Sequence, residues 1–199
     1  KPQHPYRSIP IYSIDSGLNF DRQFLFPTQT VTQTFEPRLF YLYIPFRDQS
    51  LYPNFYSGLI NFSYFQLFRD NRFSGLDRIG DTNQLTLALQ SRFLGAYGQE
   101  LVKIGIGEIF YFSKRAVTLC DSRSLKNCSD IEDPSLTKNF SDLIGKLDVH
   151  FDERWSAYGT LEHDPARNLT NKTGLSLHYQ NPNRTLYNFG YYWIRIDPA

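Results

Sequence analysis

The sequence predicts an all-β chain, an antiparallel meander of the kind that builds outer-membrane β-barrels. Three observations carry this expectation. Apolar and polar residues alternate with a period of two along most of the 199 residues, while helical periodicity is hard to find. Connections between the alternating runs switch between short and long. No apolar run approaches the roughly 18–20 residues of a membrane-spanning helix, whereas a barrel strand needs only about 9–11 alternating residues.

The strands are predicted at about 10–22, 29–45, 83–95, 100–113, 140–153, 155–164, 172–181 and 185–196, with a less regular one near 55–67. In "NQLTLALQSRF", Leu85, Leu87, Leu89 and Phe93 share one face, and Gln84, Thr86, Gln90 and Arg92 the other. In "DLIGKLDVHFDE", Leu143, Leu147, Val149 and Phe151 oppose Lys146, Asp148, His150 and Asp152. "TGLSLHYQ" sets Leu175, Leu177 and Tyr179 against Ser176, His178 and Gln180, and "LYNFGYYWIR" aligns Tyr187, Phe189, Tyr191 and Trp193. Glu108 breaks the rule. It shares a face with Ile106, Phe110 and Phe112, so either a bulge shifts the phase there or a carboxylate sits on the apolar side.

Short links fall at 26–28, 96–99, 153–155 and 181–184; longer polar ones run from about 46 to 82 and 114 to 139, with a shorter one at 165–171. Tight turns on one side and long loops on the other are the pattern of an outer-membrane barrel, and a soluble sandwich has less reason to sort its loops by length. The 46–82 segment is too long for a plain connection. Its aromatics, among them Tyr52, Phe55, Tyr64 and Phe68, argue against disorder.

Composition narrows the function. Aromatics reach 17% although the mean hydropathy is negative, which suits surfaces with apolar material on one side and water on the other. A net charge of +1 gives no footprint for nucleic acid. The two cysteines, Cys120 and Cys128, are too few for a structural zinc site; in an oxidising compartment they read as a loop-closing disulfide worth about 2–3 kcal/mol. The four histidines lie in no HExxH motif and near no GxSxG elbow, and "GIGEIF" lacks the third glycine of a nucleotide loop. No catalytic residue, metal site or cofactor is expected, and the chain does not read as an enzyme. The start, "KPQHPYRSIP", has no apolar stretch, so a signal peptide is expected to be removed or upstream.

Two blocks, "FEPRLFYLYIPFRDQS" and "LFRDNRFSGLDRIGDTNQLTLALQSRFL", closely resemble the LPS-assembly outer-membrane protein family LptD, in order and spacing. "VKIGIGEIFYF" and "DERWSAYGTLEHD" are similar to the strands that follow in that family, so the likeness covers most of residues 15–196. The resemblance implies a barrel of about 26 strands in the bacterial outer membrane of Gram-negative cells. It also implies an N-terminal periplasmic jellyroll domain, a plug lipoprotein, LptE, and a route by which lipopolysaccharide arrives over periplasmic bridge proteins and leaves through a lateral gap. On this reading residues 1–199 are a single partial domain, a section of the barrel wall with extracellular loops at about 46–82 and 114–139. The jellyroll, the closing strands and the lateral gate then lie outside it. The family's long-range disulfides do not match Cys120 and Cys128, which fall within one loop.

The opening of the second block places Arg69, Asp70, Arg72, Asp77, Arg78 and Asp81 in alternating sign, with Gly75 and Gly80 permitting tight turns. Such a balanced set can neutralise itself when partly desolvated. The expectation is a loop folded back to contact the lumen or the plug; LPS phosphates are the second choice of partner, because the carboxylates would repel them. The strand faces then divide. Leu85, Leu87, Leu147, Val149, Leu175, Leu177, Phe189 and Tyr191 are expected to face lipid, and Thr86, Lys146, Asp148, His150, Ser176 and His178 a wide hydrated interior. The competing readings are a passive porin or receptor barrel, opposed by the two specific blocks, and a secreted β-sandwich recognition module, opposed by the sorted loops.

Overall fold

The computed structural model describes residues 6–26, 29–120, 134–181 and 185–196. Its strands are β1 (Tyr12–Gly17), β2 (Phe20–Phe26), β3 (Gln29–Ile44), β4 (Thr82–Leu94), β5 (Glu100–Tyr111), β6 (Leu143–His150), β7 (Trp155–Asp164), β8 (Leu169–Gln180) and β9 (Leu186–Ile194). Among the described residues there is no α-helix, so the fold is all-β as expected. The strands form one sheet in the order β1-β3-β4-β5-β6-β7-β8-β9, with β2 also on β3. Strand β2 runs antiparallel to β3, and so does each neighbour to the next from β5 to β9. Short links set the β4–β5, β6–β7 and β7–β8 pairings, and the long loops join β3 to β4 and β5 to β6. Gly98, at φ 79°, closes the β4–β5 turn, where its amide donates to the Gly95 carbonyl. The Asp152 carboxylate closes the β6–β7 turn by accepting from the Arg154 and Trp155 amides.

Four expectations need correction. The strand predicted over 10–22 is two, β1 and β2, interrupted at Leu18, whose amide donates to the Pro37 carbonyl. Proline has no amide to return that bond, so the ladder breaks there. No strand forms over 55–67. A 3₁₀ turn at Tyr64–Phe68 and a lone bridge between Leu59 and Phe73 stand instead. The link predicted at 165–171 is a tight turn over 165–168, with Asp164 Oδ1 accepting from the Ala166 and Arg167 amides and Asn168 at φ 53°. Strand β8 therefore starts at Leu169. Strand β6 is shorter at both ends than the 140–153 expected.

At Glu108 the alternation of β5 itself continues, because Gly105, Gly107 and Ile109 are all buried. The pairing shifts instead: Gly107 faces Ile144, whereas Phe110 bridges Phe140, one residue out of that register.

The chain divides into two compact units. One is drawn from within Lys1–Asp15, Phe40–Thr86 and Ile109–Ser141, the other from within Ser16–Leu39, Leu87–Glu108 and Asp142–Ala199. In the first, the even-numbered side chains at the end of β3, Phe40, Leu42 and Ile44, form a core covered by Ile9, Phe68 and Ile79. Burying side chains of this size stabilises by about 1.5–3 kcal/mol each, and it explains why the long loop folds onto its own strand. The second unit is open sheet with two unlike faces.

Candidate functional site: a two-faced sheet and a folded loop

In the second unit, side chains facing one way read across β5 to β9 in apolar rows. Val102, Val149, Ala157, Leu177 and Phe189 are successive register partners, as are Ile104, Leu147, Gly159, Leu175 and Tyr191. The other face carries Lys103, Asp148, Tyr158, Ser176 and Gly190, then Gly105, Lys146, Thr160, Gly174 and Tyr192. Around β6 burial is inverted relative to a water-soluble sheet. Lys146 is 9% exposed while its neighbour Leu147 is 40% exposed, and Leu175 reaches 55%. The same inversion runs along β4, where Thr82, Gln84, Thr86 and Ala88 are buried and Leu87 is exposed. Lys146 lies within electrostatic reach of Asp148, Glu100 and Glu36, with Lys103 as a like charge. Arg92 bridges Glu36 at 2.6 Å, supported by Gln90 and Thr34.

The apolar face ends in aromatics. Trp155 packs on Tyr179 with ring centroids 4.5 Å apart, and Tyr179 stacks on Tyr187 at 6.0 Å. Further along, Trp193 pairs with Thr173 of β8. From Thr173 to Tyr179 is about 20 Å of strand at roughly 3.4 Å per residue. Aromatic girdles flanking an apolar band of about 25 Å are how barrels meet the two membrane–water boundaries. Among the described residues no helix is long and apolar enough to cross a membrane, which says nothing of strands.

In the first unit the charged stretch of the long loop is held mainly by backbone groups. The Arg78 side chain is fully buried and donates to the carbonyls of Tyr52 (2.8 Å), Cys120, Thr118 and Asp77 (3.2 Å each). Buried Asp81 accepts from the amides of Ala116 and Val117 (2.8 Å each), and Arg72 bridges it at 3.2 Å. The two long loops are thereby tied together. A Cβ at Gly80 would run into the Arg72 guanidinium and displace it from its bonds to Asp81 and the Val117 carbonyl. Gly75 takes φ +71°, and its missing side chain leaves room for the Tyr56 ring. Arg69 and Asp70 are exposed. The stretch holds the Arg72–Asp81 ion pair, and the Arg78 charge acts on Asp77; beyond these, Asp77 and Arg78 bind amides and carbonyls, whose geometry no count of charges reveals.

Asp77 accepts from the Phe55 and Tyr56 amides at 2.8 Å each. The Tyr56 amide, the strongest single influence, holds its carboxyl below the ordinary value of 3.8, with the Phe55 and Ser57 groups and the Arg78 charge acting the same way. A lowered folded value means that this stabilisation is complete above pH 3.8 and is lost as the pH falls through the folded value. Acid titration of loop proteolysis in the wild type is therefore expected to show a component below that pH which Asp77→Asn removes. An identical acid profile in the two proteins would refute the assignment.

Of the residues predicted to face a hydrated interior, Lys146, Asp148, His150, Ser176 and His178 all lie on the polar face of the second unit. Thr86 lies in the first unit and is completely covered, its hydroxyl donating to the Leu67 carbonyl at 2.8 Å. It offers no free surface. Of those predicted to face lipid, Leu87, Leu147, Leu175, Phe189 and Tyr191 are exposed, and Leu85, Val149 and Leu177 are half-buried. Cys120 is disulfide-bonded and buried; Cys128 lies outside the described residues.

Three holding residues have no clear mark in the sequence. Gln49, 3% exposed, clasps Ile79 by both its amide and its carbonyl, and Arg7 joins Gln49 to the Leu76 and Asp77 carbonyls. Asn71 accepts from the Gly80 amide and donates to the Arg78 carbonyl. The only signal for Gln49 and Asn71 is that both stand inside the two recognisable blocks. Among the described residues no group of histidine, cysteine and carboxylate side chains is arranged to hold a metal ion.

A family model described as "LptD: LPS transport system D" matches residues 1–199. The chain is 42% identical over 194 residues to an LPS-assembly protein LptD of Legionella pneumophila (strain Lens), covering 94% of this chain and 23% of that protein. It is 40% identical over 191 residues to one of Pseudomonas putida (strain F1), with 93% and 19% covered, and 35% identical over 194 residues to one of Methylococcus capsulatus, again with 93% and 19% covered. The chain spans about a fifth to a quarter of the length of these relatives.

Proposed function

Because the chain belongs to the LptD family of LPS transport proteins, we propose that it forms a section of an outer-membrane barrel wall through which lipopolysaccharide passes to the outer leaflet. The observation that carries the reading is the two-faced sheet, with leucines exposed in register on one face and Lys146 of the opposite face buried. Exposed leucines in register on one face need a solvent that favours them, and lipid is that solvent. The polar face then borders a hydrated interior that accommodates the saccharide portion of the cargo, with acyl chains left to the membrane. The folded loop is a rigid contact for a plug lipoprotein, LptE, and the remaining route is supplied by periplasmic bridge proteins acting through a jellyroll domain. The work is guided passage, without covalent chemistry.

The test places a photoreactive phenylalanine analogue separately at Asp148 and at Leu147 of the full-length parent in cells. These neighbours point to opposite faces, and both belong to the open sheet of the second unit. Capture of lipopolysaccharide at Asp148 is the expected result. Capture at Leu147 alone reports only lipid-leaflet contact, and capture of the lipoprotein alone at Asp148 makes this section a scaffold for the plug. Either outcome would overturn passage along this face.

A further inference from the structure

The polar face carries two tyrosines that neither the lipid boundary nor the core accounts for. Tyr192 is 72% exposed, and its ring lies flat over two glycines: a Cβ at Gly174 would meet it at 3.1 Å and one at Gly190 at 3.2 Å. Its hydroxyl lies 3.1 Å from Ser176 Oγ. Tyr158, the register partner of Ser176 on β7, is 37% exposed and stands edge-on to two imidazoles, with centroids 6.2 Å from His150 and 5.1 Å from His178. His178 is itself fixed by a 2.7 Å bond between Nδ1 and Asn188 Oδ1. Both rings therefore flank one hydroxyl, on the side of the sheet that lacks lipid-suited rows, and each is fixed by neighbours.

From this arrangement we infer that Tyr158 and Tyr192 form a stacking platform for a saccharide chain, with Ser176 and the flanking imidazoles as hydrogen-bonding partners. A pyranose ring presents a flat face of C–H groups and a rim of hydroxyls. It matches aromatic faces set among hydroxyl and imidazole groups, with Asp148 beside Tyr158 as a further acceptor. A partner with an apolar surface would find too little of it here, and a compact anion would meet the Asp148 carboxylate beside Tyr158. The two glycines suit the same geometry: a Cβ at 174 would press on Thr160 Oγ1 and on the Tyr192 ring, and one at 190 on that ring, so the ring would have to shift. The inference rests on the proposed hydrated interior and adds to it the class of group bound and the residues that bind it.

The experiment uses the purified full-length parent with its lipoprotein, titrated calorimetrically with lipid-free core oligosaccharide released from lipopolysaccharide. Tyr192→Leu and Tyr158→Leu are each expected to weaken binding at least about fivefold, the equivalent of about 1 kcal/mol. Tyr192→Phe, which keeps the ring, is expected to stay within about twofold of wild type, a shift of about 0.4 kcal/mol. Resistance of the folded barrel to unfolding in detergent electrophoresis checks that each variant is intact. Unchanged binding in intact leucine variants would sink the platform, as would equal loss in the phenylalanine and leucine variants. Capture of lipopolysaccharide at Asp148 beside unchanged binding would reject the platform alone and leave the passage reading standing.

Discussion

Replacing Arg78 with alanine is expected to free both long loops at once, making the 46–81 and 112–120 segments cleavable by added protease in intact cells while the strands stay protected. The guanidinium is completely buried and donates to four carbonyls, two of them on the second long loop. Removing it strands those carbonyls and leaves a cavity. Hydrogen bonds to a charged group contribute about 1.5–3 kcal/mol each but do not add, so a local loss of roughly 3–4 kcal/mol is the expected scale. Arg78→Lys is not expected to rescue it, because one ammonium cannot span four acceptors arranged for a planar fork. Protease resistance equal to wild type in the alanine variant would show that the loops are held by the Asp81 contacts alone.

The second large effect separates a membrane wall from a soluble sheet. Leu175 is 55% exposed, at the middle of the apolar rows. On a water-facing surface Leu175→Arg would change stability by no more than about 0.5 kcal/mol. On the lipid face of a barrel near mid-depth it costs about 2–4 kcal/mol. Thr160→Arg, one register row away but on the polar face, is the internal control and is expected to cost less than Leu175→Arg, even with Lys146 as a like-charged cross-strand neighbour. Urea-induced unfolding in lipid vesicles would give the comparison, and equal midpoints for the two variants would contradict the lipid-facing assignment.

The two faces that this contrast probes are legible in the sequence. Strand β4 and strands β6 to β9 lie within three residues of the positions that alternation predicts, and the row of Leu147, Leu175 and Tyr191 can be picked out from periodicity. Alternation reports that a segment has two unlike faces. It does not report whether a partner strand is present. That is why the aromatic run near 55–67 misleads: its side chains have strand-like composition, but its backbone turns at Ser63–Gln66 and Phe68 is spent covering Phe40. The break between β1 and β2 is equally hidden, since its cause is a proline on the opposite strand, Pro37.

By itself the sequence determined the fold class, the two faces and the family, because side-chain period and motif spacing are local properties written residue by residue. Only the tertiary structure decided how the charged loop is held. Arg78 binds carbonyls of Tyr52, Thr118 and Cys120, Asp77 binds amides of Phe55 and Tyr56, and Gln49 binds Ile79 at both ends. Every residue carries the same backbone carbonyl and, proline apart, the same amide, so which of them a buried charge selects has no signature in side-chain identity. It is set by where the folded chain brings those groups and by the absence of water to replace them.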